Sequence, residues 1–222
     1  MVERSGRLML AALVALASLS GAAHGQVDNK GDIKPIKLVA FGDSLTAGLG
    51  LPTTSAFPAK LEAALRAKGY KVDVTNAGVS GDTVADGVAR LDWSIADGTD
   101  AVIVELGAND TLRGLDPKLA RSGLDEIVKR LRQRHVEVML AGMLAPRNLG
   151  AEYSAQFDPI YSDLAKTYDL VLYPFFLDGV ATDPKLNQAD GMHPTAGGVD
   201  VIVTRILPTV EALLTKVSAR RR

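Results

Sequence analysis

The sequence predicts a three-layer α/β/α sandwich built on a central, mostly parallel sheet of five strands. Three observations carry that expectation. From Ile36 onward, short apolar runs alternate with segments of helical pattern, the βαβα order in which crossover helices connect parallel strands. The runs, such as AVIVELG and VEVMLAG, are apolar almost throughout, which suits strands covered on both faces. With 222 residues, 47% of them hydrophobic and 23% charged, the chain has the length and composition of one globular domain.

The first strand is expected over 37–41, where KLVAF ends abruptly in Gly-Asp-Ser. A helical segment over 56–68 leads to a second strand at 72–76, then NAGVSGD, then a helix over 83–96 that Asp82 is placed to cap. The third strand, 101–106, runs into GAND and is followed by a helix over 117–134. After the fourth strand, 136–141, comes a loop, 142–153, that combines Met143, Leu144 and Leu149 with Pro146 and two glycines; a helix over 153–167 follows. The fifth strand, 170–173, continues into PFFLDG. A last helical region, 195–216, repeats Val199, Ile202, Ile206, Val210 and Leu213 at spacings of three or four, one buried stripe, which Pro208 is expected to kink or interrupt.

The ends of the chain read differently. Arg4 and Arg7 precede the apolar run LMLAALVALASL and the small residues SGAAHG, the layout of a secretory signal peptide over 1–25. The run is shorter than the roughly 20 apolar residues of a membrane span, so no stable membrane anchor is expected. Residues 26–36 read as a flexible lead-in, 37–217 as the domain, and 218–222 as a solvated basic tail. The sequence contains no Cys, so stability must come from packing. Lys plus Arg, at 25, nearly balances Asp plus Glu, at 26, and no global field recruits nucleic acid. The expectation is a monomer in the periplasm or the medium.

In parallel sheets ligands bind beyond the carboxyl ends of the strands, and the polar clusters Asp43-Ser44, NAGVSGD and GAND fall there. Of three histidines, His24 lies in the leader and His135 at the amino end of a strand, which leaves His193. Asp190, three residues before it, can hold Nδ1–H so that Nε2 faces a nucleophile; Asp, Gly, His and Pro are equally common in a turn before a helix. Ser44 is a nucleophile or a helix cap. Thr46 replaces the second glycine of a Gly-x-Ser-x-Gly elbow, and no Gly-Lys-Ser/Thr cradle for phosphate occurs.

The blocks FGDSLTAG, NAGVSGDT, LGAND and DGMHP, in this order and at these separations, resemble the GDSL, or SGNH, hydrolases. The likeness extends over 37–214 and is strongest to the periplasmic acyl thioesterase, lysophospholipase and arylesterase branch. It implies a flavodoxin-like fold and hydrolysis of carboxylic esters and thioesters through an acyl-enzyme on Ser44, with Asp190 and His193 completing the triad. It further implies an oxyanion hole from the N–H groups of Ser44 and Gly78 and the Asn109 amide, with no metal or cofactor. Asp43 and Asp82 are read as structural. Leu144, Leu149 and Phe175 are candidates for covering an acyl chain, with Phe175 and Phe176 alternatively packed under the last helix. The other functions open to the sequence are a metal-assisted phosphoesterase using Asp43, Asp82, Asp110, Asp190 and His193, a carbohydrate-ester deacetylase, and a non-catalytic binding module on the same fold.

Overall fold

The apolar runs pair into a single sheet in the computed structural model, which describes residues 34–221. The leader expected over 1–25 lies outside them. β1 (Ile36–Gly42), β2 (Val72–Gly78), β3 (Ala101–Glu105), β4 (Glu137–Ala141) and β5 (Val171–Tyr173) are all parallel, in the order β2-β1-β3-β4-β5. The helices are α1 (Ser44–Ala47), α2 (Phe57–Ala67), α3 (Val84–Ser94), α4 (Ala108–Leu112), α5 (Pro117–Gln133), α6 (Ala151–Phe157), α7 (Ile160–Tyr168) and α8 (Ala196–Arg220). α2 packs with α8 on one face and α3 with α5 on the other. This double cover is why β3 is buried along its whole length and why its sequence does not alternate.

Register sets the site. Gly42 pairs with Gly78 on one side and Glu105 on the other, so β1, β2 and β3 end at one level. The chain leaves β1 for β2 on one flank and returns to β3 on the other, which opens a crevice at the carboxyl ends. The three loops that begin there carry Asp43-Ser44, the 79–82 turn and Asn109.

Several expectations about elements change. β2 runs on to Gly78 instead of stopping at residue 76. The helix expected over 153–167 is two, α6 and α7, separated at Asp158 and Pro159, where proline cannot supply the N–H that would continue the first. Pro208 does not interrupt α8, which is continuous from Ala196 to Arg220. Buried residues on both sides of it, from Val199 to Val217, hold the helix against the sheet at a cost that an isolated helix would not bear. The basic tail expected over 218–222 is helical as far as Arg220. Arg220 pairs with Glu137 at 3.0 Å, and Arg221 pairs with Asp100 at 2.5 Å and donates to the carbonyls of Lys34 and Pro35.

Candidate active site

Strand β1 ends in a turn whose first act is to cap a helix. Asp43 is the N-cap of α1 and its Oδ1 accepts the Leu45 N–H at 2.9 Å, so the cap role left open for Ser44 belongs to its neighbour. Ser44 becomes the first helical residue, 8% exposed, with a backbone N–H that has no acceptor among the described residues.

The loop before α8 brings His193 to it. His193 Nε2 lies 2.9 Å from Ser44 Oγ, and Nδ1 lies 2.7 Å from Asp190 Oδ2. Asp190 Oδ1 accepts the N–H groups of Met192 at 2.9 Å and His193 at 3.0 Å. Those two N–H bonds, with the imidazole, hold the Asp190 carboxyl down at about 2 although it is exposed to solvent. An ionised carboxylate only accepts, so Nδ1 carries the imidazole proton and Nε2 is left to accept from the serine hydroxyl. Gln188 fixes the loop to the nucleophile turn by donating from Nε2 to the carbonyls of Leu49 at 2.7 Å and Pro194 at 3.0 Å.

Of the donors expected beside Ser44, Asn109 shares its cleft and Gly78 has another acceptor. Asn109, in α4, donates from Nδ2 to the Asp82 carbonyl at 3.0 Å and to Asp43 Oδ2 at 3.2 Å. The Gly78 N–H does not stand free: it donates to Asn76 Oδ1 at 3.0 Å. Gly78 is a close-packing position, since a Cβ there would sit 2.3 Å from the Ala47 nitrogen. The turn from Val79 to Asp82, closed by an Asp82 N–H bond to the Val79 carbonyl at 3.2 Å, leaves the Gly81 N–H without an acceptor among the described residues. Gly81 has φ +88, the left-handed value that a type II turn requires at its third residue. The signal for it was present as Ser-Gly-Asp within NAGVSGDT, one turn beyond the glycine singled out.

The remaining carboxylates have separate duties. Asp82 does not cap α3; Thr83 does, in a reciprocal box with Asp86, and Asp82 pairs with Arg90 instead. Asp110 Oδ2 accepts the Val84 N–H at 2.9 Å and ties α4 to the start of α3. Glu105, at the end of an apolar strand, is fully buried beneath the turn and accepts from Thr46 Oγ1 at 2.7 Å. Burial and the neighbouring Asp43 push its carboxyl well above the usual range, and burial raises Asp43 to about 6. Among the described residues no three His, Cys, Asp or Glu side chains converge in a way that could hold a metal ion.

Ser44, Asn109 and His193 open onto a cleft of about 600 Å³ whose walls are mainly apolar, with Leu144, Phe175 and Leu177 among them. Leu149 is not on this cleft; it ends a short 3-10 turn, Arg147–Leu149, that carries it past the wall. Phe175 and Phe176 divide the two roles considered for them. Phe175 lines the cleft, whereas Phe176 is fully buried edge-to-face on Phe57 with ring centroids 5.0 Å apart.

A family model described as GDSL-like lipase/acylhydrolase matches residues 40–201. Esterase TesA of Pseudomonas aeruginosa is 36% identical over 208 residues, 93% of this chain and 98% of that protein. The protein of Escherichia coli K12 named thioesterase 1/protease 1/lysophospholipase L1 is 38% identical over 158 residues, 71% of this chain and 74% of its own. The crystal structure of AlinE4, an SGNH-hydrolase family esterase, matches at 48% identity with a TM-score of 0.68, over 82% of this chain and 97% of that one.

Proposed function

The chain belongs to the GDSL-like lipase/acylhydrolase family, and from that premise we propose that it hydrolyses carboxylic esters and thioesters through an acyl-enzyme on Ser44. The observation that carries the reading is the unbroken contact from Asp190 through His193 to Ser44 at the mouth of an apolar cleft. His193 Nε2 takes the hydroxyl proton as Ser44 Oγ attacks the carbonyl carbon, and Asp190 stabilises the imidazolium that forms. The imidazolium then gives that proton to the departing alcohol or thiol. In the second half the same imidazole deprotonates a water, which attacks the acyl carbon and releases the carboxylic acid and Ser44.

The negative oxygen of each tetrahedral intermediate needs donors. The free N–H groups of Ser44 and Gly81 and the Asn109 amide are assigned to it, and Asn109 exchanges its long bond to Asp43 for the oxyanion. Losing one such donor typically costs about 10²–10³ in rate. The substrates are small amphiphiles: aryl esters, acyl thioesters of the coenzyme A type and lysophospholipids, their acyl chain lying against Leu144, Phe175 and Leu177. A relative named both thioesterase and lysophospholipase supports that breadth. The proposed site of action is the periplasm or the medium, on the strength of the leader pattern in residues 1–25. No helix among the described residues is long and apolar enough to cross a membrane.

The test is a hydrolysis panel of p-nitrophenyl esters, acyl-CoA, lysophospholipid and acetylated xylan, run beside a fluorophosphonate probe. Wild type should turn over the first three and be labelled at Ser44, and Ser44→Ala should lose both the adduct and nearly all turnover. Labelling at another residue, or an active Ser44→Ala, ends the reading.

A further inference from the structure

Among the described residues Arg90 is the one cation in the buried interior, 6% exposed. It stands on α3, outside the blocks that define the site, and its guanidinium reaches under the carboxyl edge of the sheet. Nη2 donates to the Gly42 carbonyl at 2.8 Å, and Nη1 donates to the Ala77 carbonyl at 2.9 Å and to Ser94 Oγ at 3.1 Å. Nε is hydrogen-bonded to the Asp82 carboxylate, and the guanidinium carbon lies 4.1 Å from the centre of the Phe41 ring. A buried ion pair is weak as a source of stability, because desolvation offsets its Coulomb attraction. The planar fork of arginine, by contrast, fixes several acceptors in one geometry, which lysine's single ammonium cannot do.

Those acceptors sit next to the site. Gly42 is two residues from Ser44, and Ala77 precedes Gly78 and the 79–82 turn. Asp82 follows Gly81, and its carbonyl takes the Asn109 amide at 3.0 Å. One side chain therefore ties together the end of β1, the end of β2 and the loop that meets Asn109.

We propose that Arg90 is a positioning residue for ester hydrolysis: by clamping the Gly42 and Ala77 carbonyls and the Asp82 carboxylate, it holds the Ser44 and Gly81 N–H groups and the Asn109 amide aimed at one oxyanion. This rests on the esterase reading above. It acts without touching substrate, through the loops it joins, so its effect falls on the transition state and not on binding of the ground state.

Arg90→Lys keeps the charge and stem but not the fork. With p-nitrophenyl acetate it should lower kcat about 10- to 100-fold, approaching the loss of an oxyanion donor, while KM stays within about two-fold and fluorophosphonate labelling of Ser44 slows in parallel. In an Asn109→Ala background the same substitution should cost clearly less, because residues that act as a unit are not additive. A folded Arg90→Lys with wild-type kcat, a change confined to KM, or a fully multiplicative loss with Asn109→Ala overturns the proposal. If Arg90→Lys does not fold, Asp82→Ala carries the test, since it removes the side-chain acceptor of the Arg90 Nε–H and keeps the backbone carbonyl that takes the Asn109 amide: kcat should fall at constant KM, and an unchanged kcat overturns the clamp. A wild-type protein with no ester turnover and no Ser44 adduct would instead sink the esterase reading, so the two failures are distinguishable.

Discussion

At the scale of single residues, the site combines carboxylates pushed in opposite directions. Asp190 is exposed, yet three donors keep it ionised; Asp43 is buried and raised from 3.8 to about 6, its burial only partly offset by the Leu45 N–H, His193 and Asn109. A carboxyl raised in the folded state contributes stability that is fully present below pH 3.8 and lost as pH rises through about 6. At about 1.4 kcal/mol per pKa unit that loss amounts to at most about 3 kcal/mol. Asp43→Asn should therefore flatten the fall in unfolding free energy across this window, measured by urea denaturation at a series of pH values. The donor–donor conflict it creates with Asn109 lowers stability at all pH values alike and leaves the slope interpretable. An unchanged slope would mean that Asp43 is not the group that titrates.

At the scale of elements, the segment after β4 lines the cleft with Leu144 and leaves Leu149, at the end of its 3-10 turn, off it; under the proposed function this segment is the acyl wall. Each methylene buried from water contributes up to roughly 0.8 kcal/mol, so kcat/KM should rise from acetyl toward medium-chain esters, mainly through KM. Leu144→Ala should weaken that dependence and leave acetyl-ester turnover nearly intact. Leu149→Ala, off the cleft, should not alter it. Equal loss for short and long chains in Leu144→Ala, or acetyl esters as the best substrates, would remove the wall from acyl recognition and favour a small-ester or carbohydrate-ester substrate.

At the scale of the whole molecule, the three site loops belong to strands that end at one level, and the fourth, carrying Asp190 and His193, arrives from the far end of the chain just before α8. Both termini of the described chain are tied to the amino edge of the sheet, where Arg221 holds Asp100 and the Lys34 and Pro35 carbonyls. N-terminal sequencing of the native protein should begin between residues 22 and 27 if the small-residue boundary after the apolar run is cut. A cytosolic protein that keeps Met1 would contradict export.

The five strands, their parallel pairing and the polar clusters at their carboxyl ends were legible in the sequence, because a strand buried on both faces must be apolar throughout and its loop must supply what the core cannot. Ser44, Asn109, Asp190 and His193 were legible as residue types in ordered blocks. Tertiary structure alone decided the rest. Gly78 and Gly81 look alike in NAGVSGDT, and only the approach of Ala47 and the acceptor at Asn76 separate the packed glycine from the free N–H. Pro159 breaks a helix and Pro208 does not, although each has buried residues on both sides, so the residue type alone does not decide the outcome. Glu105 and Arg90 sit inside stretches that read as strand and helix, and the sequence marks neither. Their significance comes from what lies within hydrogen-bond reach across 59 and 48 residues of chain, a relation that local pattern does not carry.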